Sequence, residues 1–253
     1  MSGHSKWATI KRQKAKVDAQ RGKTFTKLIR ELVTAAREGG GDQGSNIRLR
    51  TAIQTARDSN MPKENIDRAI KRGTGELPGV SYESATFEGY AAGGVAMLVN
   101  TLTDNRNRTS AEIRHLFTRH GGHLGEPGSV AYMFEKKGII VVDSSQASED
   151  RVFEIALESG ADDVRAESGQ FEIVCPPDRF EAIRATFAGE KIPCQLAEIS
   201  LYPKNTIRLE RDGAVKVLKL VNELEDLDDV QNVAANFDIP EDILKTIEGE
   251  VGS

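Results

Sequence analysis

A chain of 253 residues with 38% hydrophobic and 29% charged side chains has the composition of an ordinary globular protein, long enough for roughly one to three domains. No apolar run approaches the ~18 residues of a membrane span, and the basic N-terminus is not followed by the apolar stretch of a signal peptide, so no membrane partner and a cytoplasmic location are expected. The formal net charge of −5 hides an asymmetry: residues 1–72 hold 17 Lys and Arg against 7 Asp and Glu, whereas residues 73–253 hold 17 against 32. A basic module on an acidic body points to nucleic acid as partner.

Residues 3–30, GHSKWATIKRQKAKVDAQRGKTFTKLIR, carry most of that basic charge, and between Ser5 and Arg30 the only acidic residue is Asp18. A surface helix laced with salt bridges needs acidic partners at three- and four-residue spacing, and here they are missing. Lys6, Lys11, Arg12, Lys14, Lys16, Arg21, Lys23, Lys27 and Arg30 are therefore candidate phosphate contacts. Trp7, Ile10 and Val17 give a thin apolar face to a first helix from Lys6 to about Arg21, whose order is expected to depend on a partner. From Phe25 the pattern is firmer. Phe25, Leu28, Ile29, Leu32, Val33 and Ala36 share one side of a helix, with Lys23, Lys27, Arg30 and Arg37 near the other, and Gly39, Gly40 and Gly41 stop it.

A third helix over about Asn46 to Ser59 turns Leu49, Ala52, Ile53 and Ala56 inward, and a fourth begins at Pro62 with Ile66, Ala69 and Ile70. The Gly- and Pro-rich stretch from Gly73 to Val80 is the expected linker. Tyr82 to Tyr90 and Val95 to Leu102 then read as a hairpin turning at Gly93 and Gly94. A helix follows with a capping box predicted at Thr109 and Glu112, and Val130, Tyr132 and Phe134 alternate as a strand. Residues 137–203 give the order βαββαβ of a ferredoxin-like unit, with a β-bulge expected near Ala197. The hairpin, helix and strand before it lack a helix and a strand, which Val217 to Leu224 and Val233 to Phe237 supply.

The expected fold is thus multidomain α+β, an N-terminal helical bundle followed by two α/β ferredoxin-like domains, one inserted into the other. The limits are 1–78 for the basic helical domain, 79–136 plus 204–240 for a discontinuous α/β domain, 137–203 for the inserted one and 241–253 for a C-terminal helix and tail.

Arg106 and Arg108, beside free backbone amides at a helix start, are further candidate phosphate contacts. His115 and His120 diverge by about 140° around a helix, which argues against zinc, and neither a P-loop nor a dinucleotide fingerprint is present. Cys175 and Cys194 form no CxxC pair. No nucleophile has a local base, so no enzyme activity, metal or cofactor is expected. The acidic segment from Glu223 to Val233 lies at a helix end where the dipole disfavours anions. A basic partner, including this chain's own N-terminal module, a weak divalent-ion site and a solvated turn are all compatible with it.

GHSKW followed by IK, RGK.FTKLIRE, the triple glycine, MPKENIDRAIKRGTGE, EGY before the Gly-Gly turn, LTDNRNRT, HGG.LG, GSV.YMF and LEDLDDVQNV together resemble the YebC family, in order and over nearly the whole chain. That family includes bacterial proteins described as probable transcriptional regulators and the mitochondrial translational activator of cytochrome c oxidase. The resemblance implies three domains around a cleft, a cytoplasmic location, nucleic-acid binding and no catalytic residues. It implies either DNA-based transcriptional control or, as the alternative, a ribosome-associated factor that binds ribosomal RNA and assists elongation at proline-rich stretches. With no transit peptide before GHSKW, a bacterial protein is expected.

Overall fold

The computed structural model describes residues 19–167 and 169–251. Lys6, Lys11, Arg12, Lys14 and Lys16 lie outside the described residues, as do the predicted first helix up to Asp18 and the side chain of Arg21.

Three helices build the N-terminal unit: α1 (Ala19–Gly39), α2 (Ile47–Asp58) and α3 (Lys63–Gly73). The predicted apolar stripes become one cluster, with Leu32, Val33, Leu49, Ile53, Ala56, Met61 and Ile66 buried and Phe25, Leu28 and Ile29 packed at its margin. α1 stops where Gly40 takes φ 81°, open to glycine at no steric cost. Asn46 then ties the turn together: its amide donates to the carbonyls of Ala35 and Gly40 at 2.7 and 2.8 Å, and its Oδ1 accepts from Leu49 N at 3.0 Å, capping α2. α3 crosses α1 so closely that a Cβ on Gly73 would lie 2.5 Å from the Val33 carbonyl oxygen.

Past the linker, β1 (Glu83–Tyr90) and β2 (Ala96–Thr103) form the predicted hairpin, with Gly93 and Gly94 at φ 75° and 77° in its turn. Helix α4 (Arg106–Arg119) follows, then the two-residue strand β3 (His123–Leu124). The capping box is displaced: Asn105 caps α4 by accepting from Arg108 N at 3.1 Å, and Thr109 lies a turn inside, fully buried. The strand expected through Val130 and Tyr132 is instead a 3-10 turn, Ala131–Met133, leading into β4 (Phe134–Asp143). The reason is Glu88 on β1, whose carboxylate accepts from the amides of Gly128, Val130 and Ala131 at 2.6, 2.8 and 2.9 Å and so withdraws them from strand pairing. Burial works against the Glu88 charge, but these three donors hold its pKa below the usual carboxylate range.

The next unit runs β4, α5 (Glu149–Glu158), β5 (Asp163–Glu167), β6 (Gln170–Cys175), α6 (Phe180–Gly189) and β7 (Cys194–Pro203). Its antiparallel sheet has the order β5-β6-β4-β7, as the βαββαβ pattern requires, and Ile140, Val142, Ile173, Ile155, Ile183 and Phe187 are buried between it and the helices. The expected bulge is present, at Gln195, two residues before Ala197, since Val141 pairs Leu196 and Val142 pairs Cys194. Cys175 and Cys194 are free, on strands separated by β4. Burial pushes both thiols up, Cys175 to about 11.

After β8 (Ile207–Arg208), the chain returns through α7 (Arg211–Asp226) to β9 (Val230–Ala235), which adds antiparallel to β2. That sheet has the order β3-β1-β2-β9, a central hairpin widened at both edges, and so departs from the ferredoxin order expected for it. Phe237 continues the alternation in sequence but not in space: Asn236 turns its Oδ1 to Ala96 N at 2.7 Å, and β10 (Phe237–Asp238) pairs in parallel with β8. Helix α8 (Glu241–Val251) packs Leu244, Ile247 and Val251 into the core formed by α4, α7 and this sheet, so most of the predicted C-terminal tail is part of the fold.

Asn46→Ala removes three hydrogen bonds, two of them buried and one of those the cap of α2. It should lower stability by about 2–3 kcal/mol in urea unfolding; a loss under ~0.5 kcal/mol would mean that α1 and α2 need no such tie.

Candidate nucleic-acid interface

Lys23, Lys27 and Arg30 recur at four- and three-residue spacing, which places them on one face of α1. The acidic residues of α1 itself are engaged elsewhere, because Glu31 and Glu38 both hold Arg48, at 2.7 and 2.5 Å. The α1 stripe instead meets the end of α7 and the turn after it. Lys23 Nζ lies 3.0 Å from Asp226 Oδ1, and Lys27 Nζ donates to the Glu225 carbonyl at 2.6 Å. Arg30 donates to the Leu102 carbonyl at 2.9 Å and to Asp229 Oδ1, while its guanidinium carbon sits 5.0 Å from the centre of the Tyr82 ring.

Asp229 is the centre of the arrangement. Its side chain is 5% exposed, and its second oxygen accepts from Arg108 at 2.8 Å and lies within hydrogen-bond reach of the Thr103 and Thr109 hydroxyls, themselves 2.8 Å apart. Its backbone carbonyl accepts from Leu102 N at 2.8 Å, fastening it to the end of β2. A β-bulge at Gln231, where Asn100 pairs Asn232 and Thr101 pairs Val230, interrupts the ladder just beyond it, a device that re-aims nearby side chains. Burial alone would raise the Asp229 pKa, but Thr109, Arg108 and Arg30 more than offset that and bring it down to about 2. Arg108, also 2.7 Å from Asp104, has its pKa raised by the same contacts.

The predicted contacts therefore differ in setting. Arg30 and Arg108 converge on one carboxylate from two units, Lys23 and Lys27 lie against the α7 terminus, and Arg106 is exposed on the first turn of α4. The sequence pattern marks neither Tyr82 nor Thr103 for this site and reads Thr109 as a helix cap; the one signal toward them is the acidic run at an unfavourable helix end. The histidines go separate ways: His120 Nε2 lies 3.2 Å from Glu223, His123 stacks on Tyr90 with ring centres 5.7 Å apart, and His115 is exposed on α4. Among the described residues no group of three or more His, Cys, Asp or Glu side chains could hold a metal ion, and no helix is long and apolar enough to cross a membrane.

A basic helical unit held by ion pairs to a mixed α/β body defines the class. Comparison with known proteins then gives the family. Residues 5–76 match the family described as the TACO1/YebC protein N-terminal domain, and residues 82–237 match the TACO1/YebC second and third domain. A protein of Syntrophus aciditrophicus named "Probable transcriptional regulatory protein" is 54% identical over 248 residues, covering 98% of this chain and 99% of its own. One of Pelotomaculum thermopropionicum with the same name is 54% identical over 241 residues, covering 94% and 99%. The crystal structure of the conserved hypothetical protein Aq1575 from Aquifex aeolicus is 50% identical and covers 91% of this chain and 95% of its own, with a TM-score of 0.79. The chain belongs to the TACO1/YebC family. The Syntrophus and Pelotomaculum relatives carry the name of a transcriptional regulator.

Asp229 has a folded pKa below its unfolded value of 3.8, so its contribution is complete above about pH 5 and is lost as pH falls through 3.8 towards 2. Asp229→Asn, which leaves two guanidinium groups facing a neutral amide, should cost about 3 kcal/mol near neutral pH. The gap to wild type should narrow in urea unfolding below pH 4; a gap independent of pH would show that the carboxylate charge is not what stabilises.

Proposed function

We propose that this protein is a nucleic-acid-binding regulator of gene expression, a DNA-binding transcriptional regulator that grips the phosphate backbone through its N-terminal basic residues. One observation carries the reading. The stretch 3–30 has a single acidic residue, and the two acids that follow it on α1, Glu31 and Glu38, are taken up by Arg48. Lys23 accordingly finds its counter-charge outside the helical unit, at a carboxylate of α7, and Lys27 donates to a backbone carbonyl beside it; a phosphodiester offers anionic oxygens to the same groups. Lys6, Lys11, Arg12, Lys14, Lys16 and Arg21 extend that stripe in sequence, and Arg106 adds an exposed charge on α4. The names of the relatives support regulation of transcription.

The physics favours positioning by phosphates, since charge density is the feature that supports binding and phosphate contacts position a protein without reading bases. The resemblance to the mitochondrial translational activator favours the second reading, contact with ribosomal RNA during translation, in which the same cations meet the wide, shallow minor groove of A-form helices. Sedimentation with ribosomes after DNase treatment, set against promoter enrichment in cells, separates the two.

If about five phosphates are neutralised, log K against log[salt] should slope by roughly −4 to −5 on duplex DNA; a flat response would refute the reading. Reversing Lys11, Lys14 and Lys16 to Glu should abolish binding and leave the thermal midpoint nearly unchanged. A large drop in that midpoint would assign those lysines to the fold.

A further inference from the structure

Lys23, Lys27 and Arg30 fall in step with Asp226, the Glu225 carbonyl and Asp229. The last turn of α7 has no basic residue, so its carboxylates add to the negative end of the helix dipole instead of being offset. To a lysine on α1 this terminus presents what a nucleic-acid backbone presents, closely spaced anionic or strongly polarised oxygens. The stripe best suited to a phosphodiester chain is thus already seated on a surface that imitates one.

We propose that the acidic end of α7 is a built-in competitor for the nucleic-acid backbone, so that binding displaces Asp226 from Lys23 while Arg30 stays on Asp229 as a pivot. The inference rests on the nucleic-acid reading above and adds a mechanism of restraint to it.

Exposure decides which contact yields. Lys23 and Asp226 have side chains 50% and 65% exposed, and a pair so wet shifts an equilibrium by only about two- to fivefold. Arg30 and Asp229 are 12% and 5% exposed, and parting them leaves the buried Arg30 guanidinium without a carboxylate, a penalty of about a hundredfold or more. A polyanion that releases its counterions on binding can outbid the first and not the second. Among the described residues the apolar cluster of α1, α2 and α3 draws on nothing beyond Tyr82, so no shared hydrophobic core resists the exchange.

The test is a double-mutant cycle on a short labelled DNA duplex and the matching RNA duplex, followed by fluorescence anisotropy at low salt. Asp226→Asn should tighten binding by about two- to fivefold in the wild-type background and by nothing in a Lys23→Met background, since without Lys23 there is no contact to release. A gain of equal size in both backgrounds would reflect the loss of one repelling charge and would overturn the proposal, as would no gain at all. Asp226 is exposed, and unchanged thermal midpoints confirm that each variant is folded. Whichever duplex wild type prefers identifies the source of the phosphodiester. Binding of neither duplex would instead remove the nucleic-acid reading itself.

Discussion

A carboxylate taken out of water must be matched, and Asp229 is matched from two sides at once, by Arg30 of the helical unit and Arg108 of the α/β body. Thr103 and Thr109 surround its second oxygen, and Leu102 anchors its backbone. This geometry sets where α1 lies. Among the described residues the helical core ends at Tyr82, whose ring lies against the Arg30 guanidinium, so the units meet through charge and aromatic contact rather than a merged apolar interior. An interface of this kind specifies orientation strongly and contributes little to net stability, because desolvation of the ions offsets most of their attraction.

Positions whose burial follows from periodicity were readable in the sequence. Leu32, Val33, Leu49, Ile53 and Ile66 close one helical core, and the βαββαβ alternation over 137–203 becomes a sheet of matching order. What was not readable came from contacts distant in sequence. Glu88 reaches some forty residues ahead to capture the amides of Gly128, Val130 and Ala131, which turns an alternating Val-Tyr-Phe run into a 3-10 turn. Asn236 interrupts another alternation by bonding to Ala96, sending Phe237 to a different sheet. Thr109 carries the residue type of a helix cap but is drawn inward as a partner of Asp229, leaving the cap to Asn105.

The candidate interface was half readable for the same reason. Charge density without acidic partners marks residues 3–30, and the run from Glu223 at the wrong end of a helix marks a place that needs a cation. That one demand is met by Lys23 and Lys27, and that Asp229 differs from its acidic neighbours by being buried, depends on how β2, α4 and the α7–β9 turn converge. The result is a graded contact: a dry ion pair at its inner end, a part-buried hydrogen bond in the middle and a wet ion pair at its outer end, on the helix that leads into the most basic part of the chain. Such grading suits a regulator whose cationic helix must be both positioned and accessible.

The most direct measurement is a stability cycle on the inner pair. Arg30→Met, Asp229→Leu and the double variant, unfolded in urea with probes in the helical unit and in the α/β body, give the coupling between the two residues. Each single change should cost about 3 kcal/mol or more and the double change much less than their sum, a coupling of at least ~2 kcal/mol. Additive losses, with coupling near zero, would contradict the claim that Arg30 and Asp229 together set the placement of the basic helix.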